Sequence, residues 1–66
     1  MINPIKLGRI TKELSQTEFA KMVGVTPGAV SQWEQGRTFP NPCRLKKISE
    51  ILEISLDDLL SMQKAG

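Results

Sequence analysis

Histidine is absent from this 66-residue chain, and cysteine occurs once, at Cys43. The first absence removes the commonest general base and the commonest metal ligand. No pair of acids stands in a pocket-like motif, so an enzyme has almost no support; no catalytic residue, metal or cofactor is expected. A single cysteine rules out a disulfide framework and points to a reducing, cytoplasmic setting. Nothing basic with a titrating nitrogen is placed to activate that thiol, so Cys43 reads as inert. Long apolar runs are missing as well. None approaches the roughly 18 residues of a membrane span, and no charged-then-apolar signal segment opens the chain. No membrane association is expected. Repeats and low-complexity tracts are also lacking. With 39% hydrophobic residues, the chain is expected to form one domain over 1–66. That size is near the lower limit at which one core holds a fold without staples.

Charge is present but unevenly spread. Residues 1–47 carry eight Lys/Arg against Glu13, Glu18 and Glu34, a balance of +5. Residues 48–66 carry Lys64 against Glu50, Glu53, Asp57 and Asp58, a balance of −3. Such polarity suits a domain that turns one end toward a polyanion.

Helix signals recur from end to end, with no convincing strand. Asn3-Pro4 reads as an N-cap with proline at the first helical position. Leu7, Ile10 and Leu14 then fall at i, i+3, i+7, which predicts the inner face of a first helix. Ser15-Gln16-Thr17-Glu18 is a capping box opening a second helix, which buries Phe19, Ala20 and Val23 and stops at Gly24. Thr26-Pro27 caps and starts a third, with Val30 and Trp33 inward and Gly36 at its end. Trp33 reads as core rather than as a stacking surface. In the loop "RTFPNP", Phe39 is expected to fold back as an anchor. Asn41-Pro42 repeats the cap-plus-proline signal before a fourth helix with Leu45, Ile48, Ile51 and Leu52. Ser55 opens a fifth, carrying Leu59 and Leu60, and "QKAG" is expected to fray. Lys46 and Lys47 read as solubilising charges. Short helices joined by three to six residues make a compact all-α, five-helix domain.

The stretch "FAKMVGVTPGAVSQWEQG" sets two short helices on either side of a three-residue corner. A steep crossing needs a small residue where the helices pass and a glycine in the turn; Ala20 and Gly24 occupy those places. Val23, Val25, Val30 and Trp33 supply apolar pegs that lock the angle. "LSQTEFAKMVGVTPGAVSQWEQGRTFPN" resembles the helix-turn-helix of the lambda-repressor/Cro-like family of bacterial and phage regulators. "LKKISEILEISLDDLL" is similar to that family's fourth and fifth helices, so the match spans roughly 5–60, with the motif at about 16–35.

The resemblance implies a transcriptional regulator, acting as a repressor, whose third helix (about 27–35) enters the major groove of double-stranded DNA. It further implies a homodimer on a palindromic operator. Carried over residue by residue, it puts Gln16 against a phosphate at the second helix's N-terminus, where free amides and the dipole favour an anion. It puts Pro27, Gly28, Ser31 and Gln32 toward the bases, with Gln32 able to pair with adenine in a bidentate way. Thr26, Gln35, Arg37, Thr38, Asn41 and Arg44 fall to the phosphates. Arg9 and Glu34 resemble an ion pair tying the first helix to the third. Self-contact is expected at the fifth helix and tail, through Leu56, Leu60 and Met62. Two positions depart from the pattern. Pro27 and Gly28 stand where polar side chains are common, which shifts weight to thymine methyls and DNA shape. Glu13 stands where many relatives have glycine. The competing reading is an antitoxin-like interaction module that meets a protein first and DNA second.

Overall fold

The computed structural model describes residues 3–64, and their side chains as far as Met62. Five helices follow one another: α1 (Pro4–Thr11), α2 (Gln16–Val23), α3 (Pro27–Glu34), α4 (Pro42–Leu52) and α5 (Leu56–Leu60), then a 3-10 turn over Ser61–Lys64. Ala65 and Gly66, half of the tail expected to fray, lie outside the described residues.

Every helix starts on the same local chemistry. The side chains of Asn3, Ser15, Thr26, Asn41 and Ser55 each accept from the amide three residues on. Each such cap satisfies an orphan donor and stabilises its helix by about 1 kcal/mol. At Ser15 the box is reciprocal, since its own amide donates to Glu18 Oε1 at 2.9 Å. Proline occupies the first turn of α1, α3 and α4, where its missing amide hydrogen costs nothing.

The first four helices also end alike. One residue turns left-handed, and the next amide folds back to a carbonyl five residues earlier. The turning residues are Glu13 (φ 58°), Gly24 (φ 89°), Gly36 (φ 75°) and Glu53 (φ 56°). The closing bonds are Leu14 to Arg9, Val25 to Ala20, Arg37 to Gln32 and Ile54 to Ser49. Gly24, Gly36 and the unusual Glu13 agree with the sequence reading; Glu53 was not anticipated. Lys12 forms an ion pair with Glu53, joining the two glutamate corners.

Inside these corners Phe19, Val23, Val30, Trp33, Leu45, Ile48, Leu52 and Leu59 are buried together with Ile5 and Ala20. Phe39 packs against them as the expected loop anchor. The inner face of α1 differs from its prediction. Leu7 and Ile10 are 53% and 49% exposed, while Ile5 and Gly8 are buried. The reason is a close approach: a Cβ on Gly8 would lie 2.6 Å from Ile54 Cδ1 and 3.1 Å from Leu52 Cδ1. The α1 backbone rests directly on the α4–α5 corner, and counting apolar side chains cannot score a glycine as interior. In α5 only Leu59 turns inward, and Leu56 and Leu60 stay exposed.

Candidate nucleic-acid interface

The α2–α3 corner forms because Gly24 accepts a backbone that a Cβ would strain, and Ala20 is 1% exposed beneath it. Arg44 braces it from below, donating Nη1 to the Val23 carbonyl at 3.1 Å. That bond satisfies an orphan carbonyl at the negative end of α2. Arg44, expected at a phosphate, is therefore half-buried and engaged with the protein through one of its donors. No local sequence signal announced this, because 21 residues separate the partners.

With Val30 and Trp33 turned inward, α3 presents Pro27, Gly28 and Gln32 as exposed residues, with Ser31 partly covered, and the C-cap residue Gln35 is exposed as well. Gln35 Nε2 donates to Ser31 Oγ at 3.1 Å, tying two of the expected contacts to each other. Thr26 Oγ1 and Asn41 Oδ1 accept as helix caps, which leaves the Thr26 hydroxyl hydrogen and the Asn41 amide hydrogens as donors. Arg37 and Thr38 follow Gly36 on an exposed loop.

The single acid of α3 is folded away from this face. Glu34 receives Arg9 Nε at 2.6 Å and Arg9 Nη2 at 3.1 Å, with the two side chains only 4% and 12% exposed. Arg9 Nη1 also donates to the Leu14 carbonyl at 2.8 Å. The hydrogen bonds to Glu34, which outweigh desolvation, raise the Arg9 guanidinium above its ordinary value, so it stays charged. The ion pair anticipated between α1 and α3 is present. Gln16 joins it, donating Nε2 to Glu34 Oε1 at 3.1 Å, a contact across 18 residues that no local sequence pattern signals. Asn3 Nδ2 donates to the Trp33 carbonyl at 2.8 Å, so Asn3 caps α1 and holds the end of α3 at once. The α3 surface is left with donors, acceptors and no exposed carboxylate of its own.

Residues 5–59 match the family model described as Helix-turn-helix. The HTH-type transcriptional activator BcrR of Enterococcus faecalis is 40% identical over 53 residues, covering 80% of this chain and 26% of that protein. Repressor protein C2 of Salmonella phage P22 is 41% identical over 56 residues, covering 85% of this chain and 26% of that protein. The chain thus spans about a quarter of the length of these relatives. No solved structure matches it. With the matched segment running from α1 into α5 and the corner built as that motif requires, the chain belongs to the lambda-repressor-like helix-turn-helix family of DNA-binding transcription regulators.

Proposed function

We propose that residues 1–66 act as one DNA-reading unit, laying α3 in the major groove of an operator. Gln32, with Pro27, Gly28 and Ser31, meets base edges; Gln16, Thr26, Gln35, Arg37, Thr38 and Asn41 meet phosphates. Arg44 contributes the guanidinium nitrogens left over from its bond to Val23. One observation carries the reading: α3 and its C-cap expose the Gln32 and Gln35 amides beside a partly covered Ser31 hydroxyl, while the helix's only carboxylate is neutralised by Arg9 and covered. Phosphates repel an exposed acid, so a helix that hides its single one is fitted to approach a polyanion. The +5 balance of residues 1–47 acts in the same direction.

Whether the bound domain represses or activates is not set by this fold. One relative is called an activator and the other a repressor, at nearly equal identity. Acting on DNA, the protein would meet its operator in the cytoplasm. One α3 reads only a few base pairs, so two copies are proposed on half-sites about 34 Å apart. Leu56 and Leu60, 44% and 42% exposed, remain candidates for contact between copies, whereas Met62 is packed against the core. Selecting bound sequences from a random duplex pool, then footprinting the winner, tests the reading. A two-fold-related motif with protection one helical turn apart is expected; recovery of unrelated sequences, or one protected half-site at saturation, counts against it.

A further inference from the structure

We propose that Glu34, locked by Arg9, is a positioning residue for DNA binding: it fixes the Gln16 amide so that its second hydrogen is presented to a phosphate. This rests on the DNA-binding reading given above. Arg9 grips both carboxylate oxygens of Glu34 and is itself pinned by the Leu14 carbonyl. The carboxylate plane is thereby set by two parallel bonds of a rigid fork. Oε1 then takes one hydrogen of Gln16 Nε2.

A glutamine at the start of a helix ordinarily has several rotamers and two amide orientations. Left free, that amide could turn either its oxygen or its nitrogen outward, and an oxygen turned outward would meet an anion with an acceptor. The bond to Glu34 fixes one orientation, with the nitrogen held by the protein and one N–H left over. Ordering the donor before binding removes the entropy cost of ordering it on DNA. Arg9 makes the arrangement possible, because a bare carboxylate here would repel the phosphate it helps to bind.

The signature differs from that of a purely structural carboxylate. Removing an acid from a DNA-binding surface normally strengthens binding. Here Glu34→Gln and Glu34→Asp should weaken it, the latter by drawing the acceptor back one methylene while keeping a charge for Arg9. Gln16→Ala should lower affinity about tenfold on cognate and scrambled duplexes alike, as loss of a phosphate hydrogen bond does. The salt slope should not change, because a neutral donor releases no counterion. In the Gln16→Ala background the Glu34 variants should add nothing, once affinities are corrected for the folded fraction read by circular dichroism.

Additive losses would overturn the proposal and leave Glu34 a fold-holding residue. Full affinity in Gln16→Ala would overturn it while the DNA-binding reading stood. Failure of the parent protein to select any duplex would sink that reading itself. Should both Glu34 variants unfold, the unaltered protein still decides. Its Gln16 carboxamide should show slow solvent exchange and restricted motion by NMR, and a freely averaged amide would overturn the proposal.

Discussion

At its first turn α3 relies on its own neighbours: Thr26 caps it at 3.2 Å, Pro27 pre-sets the backbone, and Gly28 adds no side chain. At its last turn it is bonded to three other parts of the chain. Asn3 holds the Trp33 carbonyl, Arg9 grips Glu34, and Gln16 joins from α2. The contrast separates two duties. A helix that must enter a groove needs one end unencumbered, and its aim must then be fixed from the other.

Breaking the anchored end should have the largest effect. Arg9 and Glu34 are covered, so removing either strands a desolvated charge and leaves its partners without bonds. Arg9→Ala or Glu34→Ala is expected to cost about 3 kcal/mol, the low end for buried pairs, because the site lies just under the surface of a 28 × 23 × 21 Å body. Against the few kcal/mol available to a domain this small, either variant would be partly unfolded at ambient temperature. Urea midpoints for both singles and the double measure the coupling. Values near zero would place the pair among exposed ones, which contribute less than about 1 kcal/mol.

The reading end is broken by changes that leave stability alone. Gln32→Ala should cost about 1–3 kcal/mol on the cognate duplex and relax the choice at one base pair, without altering the salt slope. Arg37→Ala should weaken all duplexes alike and lower the slope by about one. Titrations of cognate and scrambled duplexes at several salt concentrations separate the two. Equal weakening by Gln32→Ala on both would demote Gln32 to a backbone contact and move specificity to Ser31, Gln35 or DNA shape.

The two ends were also unequally legible. Caps, the corner and the core of α2, α3 and α4 were readable because each rests on residues within one turn of each other, such as Ser15 with Glu18. The Arg9–Glu34 pair was reachable only through family resemblance, since 25 residues separate its members. Gln16 on Glu34, Arg44 on Val23 and Asn3 on Trp33 went unread for the same reason. They depend on how helices cross, which no local pattern encodes. The Glu53 corner was missed because glycine is the expected signal for a left-handed residue, and a glutamate there gives none.

Gly28 sharpens the comparison with a change of opposite sign in two assays. A Cβ there meets only Thr26 Oγ1, at an ordinary 3.8 Å, and the backbone is not left-handed. Gly28→Ala should therefore raise stability by about 0.4–1 kcal/mol through the unfolded chain. If the proposed docking holds, the added methyl would fill space between the start of α3 and the bases, and cognate affinity should fall as the urea midpoint rises. Equal or better binding would mean that this turn stands clear of the DNA.

The start of α2, next to Gln16, should respond to acid. Hydrogen bonds from the Ser15 backbone, then from its side chain, hold the Glu18 carboxyl below its ordinary value of 4.5. A depressed carboxylate contributes stability that is present above its unfolded value and is lost as pH falls through the folded one. Glu18→Gln keeps an acceptor for the Ser15 amide and removes that titration. Urea midpoints at neutral pH and well below 4.5 should show a smaller acid loss in the variant. An unchanged loss would assign the acid sensitivity to other carboxylates.

The smallest effect is expected at the turn that presents Leu14 to Arg9. Glu13 sits at φ 58°, a conformation that costs a residue with a Cβ about 1 kcal/mol. Glycine would relieve that strain but bring a larger unfolded-state entropy, so the terms nearly cancel. Glu13→Gly should leave the urea midpoint unchanged or raise stability by a few tenths of a kcal/mol. Glu53→Gly is the matched control: it has the same backbone, at φ 56°, but also loses the ion pair to Lys12. Because Glu53 is 72% exposed at its side chain, that pair is worth little. The two variants should therefore differ by less than about 1 kcal/mol, with Glu53→Gly the less stable. A clear loss in Glu13→Gly alone would mean the glutamate holds the turn, and with it the Leu14 carbonyl that pins Arg9, more firmly than its backbone angle suggests.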